Sequence, residues 1–236
     1  DEDSLSERFA GKQGNGPIDI AVIRFPRISN FTDLAAFECR EEVSLRYISQ
    51  SADFGEPDLV ILPGSKSTIA DLLWMRQNGL EGKILRHAST GGLVFGICGG
   101  YQMLGVEVRD PDGVEAGTGK CVRGMELLPA RTVFEPEKHR TQITGRFGMV
   151  QGTFSELSDI PFTGYEIHMG RTEYIGEQTE LLHLDNGTAD GLQCGNVYGC
   201  YIHGIFDQAE VVTAILKTIL RRKGLDADQV KSIDRK

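Results

Sequence analysis

The sequence predicts an α/β fold, a mostly parallel sheet with helices on both faces. Three observations carry that reading. Short, nearly unbroken apolar runs recur at Ile18–Phe25, Val43–Ile48, Asp58–Leu62 and Leu93–Ile97. Segments with helical spacing separate several of them. Glycine supplies 29 of 236 residues, about 12% against a usual ~7%, without any fibrous period. Such glycines mark turns where the backbone takes positive φ or passes close to something.

Taken in order, residues 1–16 are polar, charged and Gly-rich and read as a linker, followed by one domain over 17–225 and a polar tail over 226–236. Ile18–Phe25 is the first buried strand. Asn30–Phe37 starts a helix, with Asn30 or Thr32 as its cap. Val43–Ile48 is the second strand, and Asp58–Leu62 the third, ending in Pro63-Gly64. Helical spacing covers Thr68–Arg76 and Ile84–Ala88. Leu93–Ile97 runs directly into Cys98-Gly99-Gly100 and a helix-like Tyr101–Leu104. The later half is richer in strands, with Met125–Phe134, Gln142–Val150, Gly164–Ile175 and Val197–Ile202 as candidates and Asp185-Asn186-Gly187 as a turn. Asp207 caps a last amphipathic helix whose apolar face is Val211, Val212, Ile215, Leu216, Ile219 and Leu220. Arg221, Arg222 and Lys223 at its end complement the helix dipole rather than forming a nucleic-acid patch.

Composition narrows the function classes. Lys plus Arg total 25 and Asp plus Glu 34, a net charge of −9, which argues against a general nucleic-acid binder. No apolar stretch approaches the ~18 residues of a membrane span. The five cysteines, an odd and irregularly spaced set, fit reduced thiols in the cytoplasm better than a disulfide framework. Cys194, Cys200 and His203 lack the second pair that a structural zinc would need, so no metal is expected. Ser65-Lys66-Ser67-Thr68 lacks the glycine of a phosphate loop, and no dinucleotide fingerprint follows a strand.

The sharpest chemical signal is Gly96-Ile97-Cys98-Gly99-Gly100-Tyr101-Gln102. A cysteine on a tight strand-to-helix turn has its sulfur pushed clear of the backbone and set at a helix N-terminus, which favours a thiolate. A thiolate nucleophile needs a base that later acts as an acid. His203, at the end of the apolar run Tyr198–Ile202, is the candidate, with His168 as its rival; His87, His139 and His183 read as structural or surface residues. The Gly64 and Gly99 amides could face the oxygen that becomes charged during acyl transfer.

These residues resemble the class I, triad-type glutamine amidotransferase domain. Four runs are similar to its cobyric acid synthase branch: Arg24–Asp33, Leu62–Thr68, Gly164–Gly170 and Tyr201–Phe206. The resemblance implies a flavodoxin-like sheet, Cys98 as nucleophile, His203 as general base and acid, Gly64 and Gly99 as oxyanion donors, and Gln102 as a substrate-binding residue. It implies glutamine as substrate and ammonia as product, handed to an N-terminal synthetase domain that uses ATP and magnesium to amidate corrin carboxylates; no cofactor is expected in this domain. Many class I domains place a Glu two residues after the His, but Gly204 and Ile205 follow His203 here, so Glu166 is considered as a stand-in. Alternatives are a related amidotransferase acting on cobyrinic acid or a peptidoglycan precursor lipid, or a non-catalytic interaction module.

Overall fold

The computed structural model describes residues 14–230. In chain order they form β1 (Ile18–Ile23), β2 (Ile28–Ser29), α1 (Ala35–Glu38), β3 (Val43–Ile48), β4 (Leu59–Leu62) and β5 (Gly64–Ser65). Then come α2 (Thr68–Gln77), α3 (Leu80–Ser89), β6 (Leu93–Ile97), α4 (Gly99–Leu104), β7 (Glu107–Asp110) and β8 (Lys120–Arg123). The later part comprises β9 (Ala130–Phe147), β10 (Pro161–Tyr174), β11 (Thr179–Leu184), β12 (Ala189–Cys194), β13 (Val197–Cys200) and α5 (Ala209–Arg222).

The expected parallel sheet is present, in the order β3-β1-β4-β6-β13. Its strands are apolar on both sides because both sides are covered. Ile18, Ile20 and Val22 of β1 point into one core with Leu45, Phe95 and α5, while Ala21 and Ile23 point into a second core with α2 and α3. Each large side chain fully buried this way contributes roughly 1.5–3 kcal/mol. Beyond β13 the sheet turns antiparallel through β12, β11 and β9, and β10 pairs along β9.

Several expected boundaries move. The runs Met125–Phe134 and Gln142–Val150 belong for the most part to one long strand, β9, because β10 pairs along most of its length. Asn30 takes a left-handed conformation (φ 49°) and makes no side-chain cap; a 3-10 turn, Phe31–Leu34, precedes the short α1. Asp207 closes another 3-10 turn, Ile205–Asp207, so Gln208 occupies the cap position of α5. The turn at Asp185–Gly187 joins β11 to β12, as its Asn-Gly pair suggests. Of the segment read as a linker, residues 1–13 lie outside the described residues. Of the polar tail, Ala227 and Val230 enter the core beneath α5, and residues 231–236 lie outside the described residues.

Candidate active site

Four neighbouring parallel strands end at one edge of the sheet, and each leads into a motif singled out above. β1 leads to Arg24–Asp33, β4 to Pro63–Thr68, β6 to Cys98, and β13 to Tyr201–His203. Ligands in open α/β sheets bind beyond these carboxyl ends. The register explains why residues distant in sequence converge. Ile97 stands opposite Cys200, so the chain leaves β6 at Cys98 beside the point where it leaves β13 toward His203.

Cys98 sits on a strained turn with φ 51° and ψ −110°, a region L residues avoid. The Cys98 amide donates to the Cys200 carbonyl (2.9 Å), and the Cys98 carbonyl accepts from Gln102 N in the first turn of α4 (3.0 Å). Both ends of the turn are thus tied down, which is how such strain persists. The crowding extends to Gly100, where a Cβ would lie 2.0 Å from the Leu62 carbonyl oxygen. Cys98 is 6% exposed, and its sulfur lies 3.6 Å from the Ile167 carbonyl oxygen.

His203 is fully buried, and its imidazole interacts with the Cys98 side chain. Its Nδ1 is 2.7 Å from Oδ2 of the buried Asp33, whose other oxygen accepts the Gly204 amide at 3.0 Å. An ionised carboxylate only accepts, so Nδ1 carries a proton and Nε2 is the working nitrogen. Beside Nε2, at 3.1 Å, lies the Asn30 side-chain amide. Burial by itself lowers the His203 pKa, but the interactions with Asp33 and Cys98 override it and hold the imidazole up at about 9. The Tyr165 ring stacks on the imidazole, and the two backbones exchange hydrogen bonds of 3.0 and 2.8 Å.

Asp33 is the carboxylate that the structure places on His203, where the sequence indicates no partner. It lies inside the quoted run Arg24–Asp33, but its 170-residue separation from His203 hid the pairing. Glu166 is not that acid. Alternation along β10 puts Glu166 and His168 on one side of the strand, and Glu166 Oε1 lies 2.5 Å from His168 Nε2. His168 Nδ1 faces the Gly170 carbonyl oxygen at 3.1 Å, and its ring stacks on Tyr201 with centroids 3.7 Å apart. His168 therefore lines the cavity, while His203 is the histidine that interacts with Cys98. His87 lies against the Leu93 carbonyl and His183 beside Glu180, consistent with structural and surface roles.

The cavity next to Cys98 measures about 330 Å³, and Ser65, Thr68, Gln102, Glu115, Phe134 and Met169 are among its walls. Gln102 is buried with its amide engaged. Its Oε1 accepts from Thr68 Oγ1 (2.9 Å), and its Nε2 donates to the Met169 carbonyl (3.1 Å) and Tyr201 Oη (3.3 Å). Gly99 opens α4, and Gly64 packs under the His203 ring: a Cβ there would stand 3.2 Å from His203 Cε1 and 2.7 Å from Ser29 Oγ. Gly64 pairs with Ser29 across the β2–β5 ladder, and Lys66 N donates to the Arg27 carbonyl at 2.8 Å. Alternation along that ladder turns the Gly64 backbone groups toward Ser29 and those of Ser65 away from it. Ser65 N comes within 2.9 Å of where a Gly99 Cβ would stand, so Ser65 joins Gly99 at the elbow, which the sequence did not indicate.

Comparisons with known proteins bear on the family and the fold. Residues 19–211 match the family of CobB/CobQ-like glutamine amidotransferase domains. A cobyric acid synthase of Ruminiclostridium cellulolyticum is 51% identical over 236 residues, covering 97% of this chain and 46% of that protein. One of Lachnoclostridium phytofermentans is 45% identical over 249 residues, covering 100% of this chain and 48% of that protein. The chain thus spans about half the length of the curated relatives it matches. Among solved structures, that of PurLQS from Thermotoga maritima aligns with a TM-score of 0.64 at 17% identity, over 87% of this chain and 99% of that one. A glutamine amidotransferase from the same organism aligns at 0.54 and 15% identity, over 91% of this chain and 88% of that one. The structural likenesses bear on the fold, and the sequence matches fix the membership: the chain belongs to the family of CobB/CobQ-like glutamine amidotransferase domains.

Proposed function

We propose that this chain hydrolyses glutamine and supplies the ammonia to a second half of a cobyric acid synthase. The observation that carries the reading is the alignment of Cys98, His203 and Asp33 at the ends of β6, β13 and β1. The Cys98 thiol passes its proton to His203 Nε2, and the Sγ thiolate attacks the side-chain carboxamide carbon of glutamine. The oxyanion that forms faces the Gly99 and Ser65 amides, since the Gly64 amide is turned toward Ser29. His203 Nε2 gives a proton to the departing nitrogen, which leaves as ammonia, and a glutamyl thioester remains on Cys98. Water then attacks the thioester carbonyl while Nε2 takes its proton. The sulfur leaves, and glutamate is released. Asp33 keeps Nδ1 protonated and the ring aimed throughout, and Gln102 with Thr68 shapes the substrate wall.

The half of the relatives outside this chain would be the synthetase domain, where ATP and magnesium activate corrin carboxylates for amidation. Names and identities of the curated relatives support that reading over a cobyrinic acid or lipid-linked acceptor. The cytoplasm is the proposed location. All five cysteines are free, and among the described residues no helix is long and apolar enough to cross a membrane. The test joins this chain to its synthetase half and supplies glutamine, ATP, magnesium and a corrin acid. Glutamate release coupled to a stepwise mass change of the corrin supports the proposal. Glutamate release with amidation of another acceptor alone would replace the corrin, and a Cys98→Ser enzyme that still hydrolyses glutamine would remove the thioester.

A further inference from the structure

Glu115 lines the same cavity as Cys98, and the steps above leave it unused. Its position is built rather than incidental. The buried Asp110 carboxylate accepts the amides of Val114, Glu115 and Ala116 at 2.6, 2.9 and 2.7 Å. That collar folds the loop after β7 so that Glu115 reaches the first turn of α2, where it accepts the Ile69 amide at 3.2 Å and the Thr68 amide. Thr68 also donates to Gln102, so the carboxylate is tied into the cavity wall. Burial pushes its carboxyl up to about 7, against those amide bonds and with Asp110 and Asp71 nearby adding to the rise. Among the described residues no basic side chain forms an ion pair with it. A partly buried carboxylate without a cation is costly unless one arrives.

We propose that Glu115 receives the α-ammonium of the substrate amino acid, making this pocket select a free amino group as well as a carboxamide. The inference rests on the glutamine reading above. Substrate would then lie with its amide at Cys98 and its amino end at the α2 side of the cavity. The α-carboxylate would be directed away from Glu115 by like charge.

The test compares two ligands that differ only in the amino group, L-glutamine and glutaric acid monoamide. Each is titrated for protection of Cys98 against iodoacetamide, read by mass spectrometry of the Cys98 peptide. Wild-type protein should need about tenfold less glutamine than monoamide for half protection, the low end for a charge-assisted bond. Glu115→Gln keeps an acceptor for the α2 amides but loses the charge. In that variant the preference should fall to within about twofold, with the monoamide value unchanged. An undiminished preference in Glu115→Gln, or an equal weakening of both ligands, overturns the inference while leaving glutamine binding intact. Absence of protection by either ligand in the wild-type protein overturns the glutamine reading itself and the inference with it.

Discussion

Two parts of one sheet meet at Cys98 and hold it by different means. From the parallel part, the ends of β1, β6 and β13 deliver side chains: Asp33, Cys98 and His203. From the antiparallel part, β10 crosses the same site and contributes mainly its backbone. The Ile167 carbonyl faces the sulfur, the Met169 carbonyl takes Gln102, and Tyr165 exchanges hydrogen bonds with His203. Chemistry that needs particular side chains sits where strand ends converge. Alignment that needs only carbonyls and amides is left to the strand that crosses them, with the Tyr165 ring stacked on the imidazole.

The largest expected effect is at Cys98, the proposed nucleophile. Cys98→Gly should lower glutamate release on the order of 10⁴-fold or more. The same change should stabilise the fold by about 1 kcal/mol, because glycine accepts the positive φ that cysteine is forced into. Denaturant midpoints with an unchanged slope would measure this. A less stable Cys98→Gly would mean that the elbow stores no strain and that β6 positions the sulfur without cost.

Asp33→Asn comes next. Loss of the ring's orienting carboxylate should lower kcat on the order of 10³-fold. It should also change how stability depends on pH. The His203 imidazole, at about 9 in the folded chain against an ordinary 6.5, binds more protons folded than unfolded between those values. Its contribution is therefore complete below about pH 6.5 and is lost as pH rises through 9, on the order of 3 kcal/mol in all. Without the Asp33 charge, burial lowers the imidazole against the Cys98 side chain alone, and that decline should flatten. Urea unfolding at pH 6, 7.5 and 9.5 on both proteins would show it. Parallel declines in the two would separate Asp33 from the charge on His203.

Gly64→Ala should cost roughly 10²-fold in kcat, since a methyl there meets Ser29 Oγ and the His203 ring. Adding Ser29→Ala relieves the closer of the two contacts and should restore part of the loss. Failure to restore any of it would place the damage in the β2–β5 ladder instead.

The same division decides what could be read in the sequence. Leu59-Val60-Ile61-Leu62 is buried at every position, so an unbroken apolar run announces a parallel strand and, with Pro63-Gly64 after it, its functional end. Cys98 was legible because strand, glycines and helix surround it within a few residues. β11 and β12, Thr179–Leu184 and Ala189–Cys194, mix buried and partly exposed positions and show neither a clean alternation nor a continuous run. Asp33 was legible as part of a motif but not as a partner, since nothing local to residue 33 encodes the approach of residue 203. Glu166 was the nearer guess in motif terms, and β-strand alternation defeats it by turning that carboxylate toward His168.

The smallest expected effect probes β10 itself. His168→Phe keeps an aromatic ring against Tyr201 but removes the bonds to Glu166 and to the Gly170 carbonyl. Those bonds lie where the β9–β10 register shifts, between Met169 and Arg171. A loosened shift moves the Met169 carbonyl and with it Gln102, the wall of the substrate cavity, while Cys98, His203 and Asp33 keep their own contacts. KM for glutamine should therefore rise by about three- to tenfold with kcat held within about twofold, the signature of lost ground-state positioning. A collapse of kcat instead, of the size expected for Asp33→Asn, would make β10 a source of chemistry and erase the distinction between the two parts of the sheet.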